Sequence, residues 1–129
     1  MRRSHLRVRI EALAEARCEY CRAPQNACGY HFHIEHIVPL ALGGTDEESN
    51  RALACASCNL AKSDRVSARD PLTGEQIPLF HPRQQQWHEH FQWAEDQRTL
   101  TSLTAHGRAT LVCLDMNNAV RQLARPFIP

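Results

Sequence analysis

The chain has 129 residues, six of them cysteine, with 6% aromatic residues and a formal net charge of +1. That length accommodates one domain and no second large core, and near-neutrality means that any nucleic-acid contact depends on a local concentration of charge. No apolar run is long enough to span a bilayer, and the basic start Met1–Ile10 has no apolar core followed by a cleavage site, so the expectation is a cytoplasmic chain with reduced cysteines. Reduced cysteines point to metal binding or catalysis rather than to a disulfide framework.

In chain order, Leu6, Ile10, Leu13 and Ala14 recur at helical spacing and predict a short amphipathic helix over 5–16. Cys18-Glu19-Tyr20-Cys21 reads as a tight turn and Pro24–Gly29 as loop. His31 to Val38 alternates polar and apolar residues, the pattern of a half-buried strand that Pro39 ends, and Gly43-Gly44 marks a turn. Asp46–Asn50 is polar loop, Arg51–Ala54 a short second strand, and Ala56 to about Val66 a helix. Asp70–Gly74 reads as a turn between two extended pieces, the second running through Ile77 to Phe80. Gln84–Gln97 and Thr110–Arg125 read as helices. The whole is expected to be α+β and a single domain over 1–129, with a core at about 8–66 and a mainly helical extension from about 70.

Cys18-x-x-Cys21 and Cys55-x-x-Cys58 form two cysteine knuckles, 33 residues apart. A two-residue gap lets both thiolates of a pair reach one ion, so two knuckles supply the four ligands of a tetrahedral structural Zn²⁺ site. The alternatives are unmetallated buried cysteines or a redox pair, and the second expects a parallel sheet that the sequence does not carry. Cys28 lies close enough to compete as a ligand. Cys113 sits in an apolar helical pattern and reads as core.

The segment between the knuckles, with what flanks it, resembles the HNH endonuclease family. The residues that carry the resemblance are the first knuckle, Ile34-Glu35-His36-Ile37-Val38-Pro39, Gly43-Gly44, Asn50, and Cys55-Ala56-Ser57-Cys58-Asn59 with Lys62. The resemblance implies a ββα-metal core, two short antiparallel strands followed by a helix. It implies His36 as general base, Glu35 as a ligand of a catalytic divalent cation, and Asn50 as the residue that ties the loop and steadies the histidine. The third position, often histidine in the family, is Asn59 here, which is similar to the HNN subset that pairs a carboxylate with an asparagine as metal ligands.

The chemistry agrees with that assignment. An imidazole, whose ordinary pKa is ~6.5, takes a proton from water near neutral pH. Two oxygen donors suit Mg²⁺ or Mn²⁺ and leave positions open for phosphate and water. On a regular strand Glu35 and His36 point to opposite faces, so a bulge or the strand's end has to bring both to one metal. Each residue also has an ordinary reading: a solvated glutamate, a hydrogen-bonded histidine, a turn asparagine at 50, a helix cap at 59.

His31 and His33 read as solvated or supporting residues. Lys62 and Arg65, with Arg69 and the N-terminal Arg2, Arg3, Arg7 and Arg9, are the candidates for phosphate contacts, which give affinity without sequence information. No segment resembles a base-reading helix, so DNA binding with little sequence specificity is expected. Trp87, Phe91 and Trp93 make the segment around His88 and His90 a packing element rather than a second metal site. The competing reading is a catalytically inactive, zinc-stabilised nucleic-acid-binding module.

Overall fold

A computed structural model describes residues 4–125, so Arg2 and Arg3 lie outside the described residues. Helix α1 spans His5–Leu13; the Ser4 hydroxyl caps it by accepting the Arg7 N–H at 3.1 Å, and its inward residue is Ile10. The chain turns out of the helix through Glu15 and Ala16, both at positive φ, into the first knuckle. A one-turn helix α2, Gln25–Cys28, ends on Gly29 in the left-handed region. Strand β1, His33–His36, pairs antiparallel with β2, Arg51–Ala54, in an unbroken register from His33 opposite Ala54 to His36 opposite Arg51. Helix α3, Ala56–Lys62, follows and packs against both strands.

Two further hairpins follow, β3 (Ser67–Arg69) with β4 (Gln76–Pro78) and β5 (Phe91–Trp93) with β6 (Leu100–Ser102). Helix α4, Trp87–His90, leads into β5; α5, Ala105–Cys113, and α6, Ala119–Ala124, close the chain. The architecture is α+β, as expected, with corrections in the extension. The helix expected over 84–97 is a single turn that passes into a strand, because Phe91 and Trp93 have ladder partners in Ser102 and Leu100, and aromatic side chains fit a pleated half-buried surface. The helix expected over 110–125 is two helices, broken at Asp115 with positive φ.

One apolar cluster runs through both halves, from Ile10, Tyr20, Phe32 and Leu53 to Phe80, Phe91, Leu100, Leu114 and Met116. Phe80 meets Tyr20 edge-on at 6.5 Å and Phe91 at 5.5 Å. Polar ties reinforce the contact: Arg83 donates to the Arg51 carbonyl at 3.0 Å and to Glu19 at 2.5 Å, and the Trp87 indole donates to the Tyr20 carbonyl at 2.9 Å. Gly107 lets α5 approach the end of α4, since a Cβ there would lie 2.2 Å from the His90 carbonyl oxygen. No helix among the described residues is long and apolar enough to cross a membrane.

Candidate metal centre and active site

The hairpin and α3 bring the two knuckles together. The sulfurs of Cys18, Cys21, Cys55 and Cys58 all lie within 4.8 Å of one another, every one of these residues buried. Four sulfurs at about 2.3 Å from a tetrahedral zinc stand about 3.8 Å apart, and the Cys21–Cys55 separation is 3.7 Å. The Cys55 sulfur also accepts the Cys58 N–H at 3.3 Å, so it caps α3 and fixes the second knuckle's turn. All six cysteines are free of disulfides. The cluster is thus positioned for a metal ion, with the donor set of a closed structural zinc site. Cys28 is outside this group; its sulfur accepts from Arg121 at 3.6 Å. Cys113 packs, half-buried, against the apolar cluster.

Beside the cluster, a cleft of about 660 Å³ opens between β1 and α3, lined by Glu35, His36, Asn59 and His33 among others, with Arg7 of α1 at its side. Glu35 and His36 both reach it although the β1 register has no bulge; His36 is the strand's last residue. Glu35 points inward and is only 8% exposed. One carboxylate oxygen accepts the Tyr20 hydroxyl and the other pairs with the Lys62 ammonium at 3.3 Å. Burial pushes the Glu35 carboxyl above the usual range, while Lys62 and then the Tyr20 hydroxyl act in the opposite direction. Asn59 is half-buried at the cleft wall.

His36 Nε2 lies 2.6 Å from Asp46 Oδ1. Arg51 holds Asp46 in turn, its guanidinium 3.1 Å from the same oxygen, and His36 followed by Arg51 keeps the Asp46 carboxyl below its ordinary value. Asn50 explains how a residue ten positions along the chain meets the histidine. Its amide accepts the Val38 N–H at 2.9 Å and donates to the Val38 and Thr45 carbonyls at 2.9 and 2.7 Å, drawing both ends of the 38–45 loop together. Gly44 permits this closure, because a Cβ there would sit 1.8 Å from the Val38 carbonyl oxygen.

Three cations lie differently from the sequence expectation. Lys62 is 1% exposed, and its ammonium donates to the Ile37 carbonyl at 2.8 Å as well as facing Glu35, so it does not stand on the surface where a phosphate would meet it. Arg7 donates to the Phe32 carbonyl and pairs with Glu11, and Arg9 pairs with Glu48 at 2.7 Å. Arg65 and Arg69 are exposed. The helical spacing of Asn59 and Lys62, three residues apart, already put the lysine on the helix face that carries the asparagine. The sequence assigns no site role to Asp46 or Tyr20: a loop aspartate and a knuckle tyrosine carry no spacing signal for their partners.

The described residues thus form a ββα unit with a four-sulfur cluster and a cleft lined by a carboxylate, a histidine and an amide. Residues 18–65 match the sequence model of the HNH endonuclease family. No curated protein and no solved structure matches the chain.

Proposed function

We propose that the protein is a metal-dependent endonuclease hydrolysing DNA phosphodiester bonds, with His36 as general base and a divalent cation held by Glu35 and Asn59. The observation that carries the proposal is that these three side chains line one cleft. Each carboxylate oxygen has two acceptor sites, so Glu35 keeps lone pairs beyond those directed at Tyr20 and Lys62. With the Asn59 amide oxygen it forms an oxygen-donor pair suited to Mg²⁺ or Mn²⁺. When bound, such an ion supplies charge neutralisation at the scissile phosphate and leaving oxygen.

The remaining steps belong to the chain's own groups. The Asp46 carboxylate accepts from His36 Nε2, which selects the tautomer that leaves Nδ1 bare to take a proton from water. Asn50 acts one step back, as a positioning residue, by holding the loop that presents Asp46. Zinc in the four-cysteine cluster fixes both ends of this segment and does no chemistry. Arg65 is the cation we assign to phosphate contact, in binding of little sequence specificity; the cysteines, free of disulfides, fit a cytoplasmic protein.

The inactive zinc-stabilised nucleic-acid-binding module is the second reading, favoured by one observation: the Lys62 ammonium already faces Glu35. Supercoiled plasmid separates the two. The nuclease reading expects nicking that requires added Mg²⁺ or Mn²⁺ and stops with EDTA; DNA binding without cleavage under either metal would support the module instead.

A further inference from the structure

Helix α6 carries Arg121, its C-cap residue is Arg125 one turn on, and both are buried, at 6% and 1% exposure. Arginine is rarely buried without an anionic partner, because an uncompensated charge in the interior is expensive. Among the described residues neither has a carboxylate. Arg121 donates to the Cys28 sulfur at 3.6 Å. Arg125 donates to Asn117 Oδ1 at 2.9 Å and to the Arg98 and Met116 carbonyls, and its guanidinium lies over the Trp93 ring. Both Nε–H groups are buried without a hydrogen-bond partner. Burial is the largest influence on each guanidinium, and the Cys55 and Cys21 sulfurs lie within electrostatic range of Arg121, those of Cys21 and Cys58 within range of Arg125. A direct tie seats the helix there: its cap residue Asn118 donates to Ser57, which lies between the second knuckle's cysteines, at 3.1 Å.

We propose that Arg121 and Arg125 are the counter-charge of the metal-loaded cysteine cluster, so that α6 latches the end of the described chain onto the metal site. Four thiolates around one divalent zinc leave two negative charges in excess, and two guanidiniums match them. The latch rests on zinc being the metal of that cluster. Without the metal nothing holds four negative sulfurs together, and the two buried cations lose that compensation. The same charges lower the cost of holding four thiolates together, so the arginines slow zinc loss, as groups just beyond the ligands of a metal do.

The test is zinc transfer from the full chain to a chromogenic pyridylazo chelator under reducing conditions. Arg121→Gln and Arg125→Gln are each expected to speed transfer about 10- to 100-fold, the effect typical of losing a group that supports metal ligands. Arg121→Lys keeps the charge and is expected to stay within about threefold of wild type, a bound set well below that loss. Wild-type rates in both glutamine variants would overturn the latch. So would a lysine variant as fast as its glutamine counterpart, since packing would then account for the effect. The lysine variant carries the test if a glutamine variant does not fold. The zinc content of the wild type is a separate readout: a folded wild type without zinc overturns the zinc assignment itself.

Discussion

His36 is the residue whose role depends most on a neighbour that the family resemblance does not supply. A histidine at a strand end with one ring nitrogen on a carboxylate is oriented and held in one tautomer, and here that carboxylate, Asp46, is itself held by Arg51. Asp46→Asn keeps the size and removes the strong acceptor. It is expected to lower kcat by about tenfold or more, up to the ~10²–10⁴-fold that general acid–base catalysis contributes, and to leave KM and zinc content close to wild type. Steady-state cleavage of a labelled duplex measures this, and an equal loss in KM alone would show that Asp46 serves substrate binding. Glu35, His36, Asn50 and Asn59 were singled out in the sequence by the resemblance to the HNH family, and the fold brings Glu35, His36 and Asn59 to one cleft. Tyr20 and Asp46 were given no role and Lys62 was assigned to phosphate rather than to Glu35, because the sequence does not state which side of a strand or loop faces which residue.

At the scale of elements, hairpins and caps account for the order of the site. The second strand was legible at its observed bounds, Arg51–Ala54, because it leads directly into a knuckle. The extension was less legible: a helical run of aromatics and a strand of aromatics look alike until ladder partners are known. The Asp70 turn between β3 and β4 was read as a turn from Asp-Pro and Gly74, but its anchoring was hidden. Arg108 of α5 donates to both Asp70 oxygens, at 2.9 and 2.8 Å, and the Leu72 N–H and Thr73 hydroxyl add to them. Chiefly through Arg108, these donors hold the Asp70 carboxyl well below the usual carboxylate range.

A depressed folded-state value means that the ionised group stabilises the fold above its unfolded pKa of ~3.9, and that this stabilisation is lost as pH falls through the folded value. Asp70→Asn is therefore expected to lower the urea midpoint at neutral pH. The gap to wild type should narrow as pH drops below ~3.9. A gap independent of pH would rule out the ionised pair as its source.

At the scale of the whole molecule, the extension is more than an appendage to residues 18–65. Phe80 is buried in the cluster that also holds Tyr20, whose hydroxyl reaches Glu35. A chain this small gains limited stability from one core and benefits from a metal staple. We propose that the extension and the zinc-clamped core fold as one cooperative unit. Phe80→Ala is expected to destabilise the protein by about 3–5 kcal/mol, the usual cost of truncating a buried phenylalanine. Unfolding followed by tryptophan fluorescence and by far-ultraviolet circular dichroism should give coincident transitions. Two separated transitions would mean that the halves fold independently.

The central claim is that His36 is the base of a metal-dependent nuclease whose fold is held separately by the cysteine cluster. Its most direct test is cleavage of supercoiled plasmid in Mg²⁺ or Mn²⁺ by wild type and His36→Ala, with zinc content measured on the same samples. Wild type is expected to nick or linearise the plasmid, and His36→Ala to lose that activity while its zinc content stays unchanged. Equal cleavage by the two proteins at equal zinc content would contradict the account.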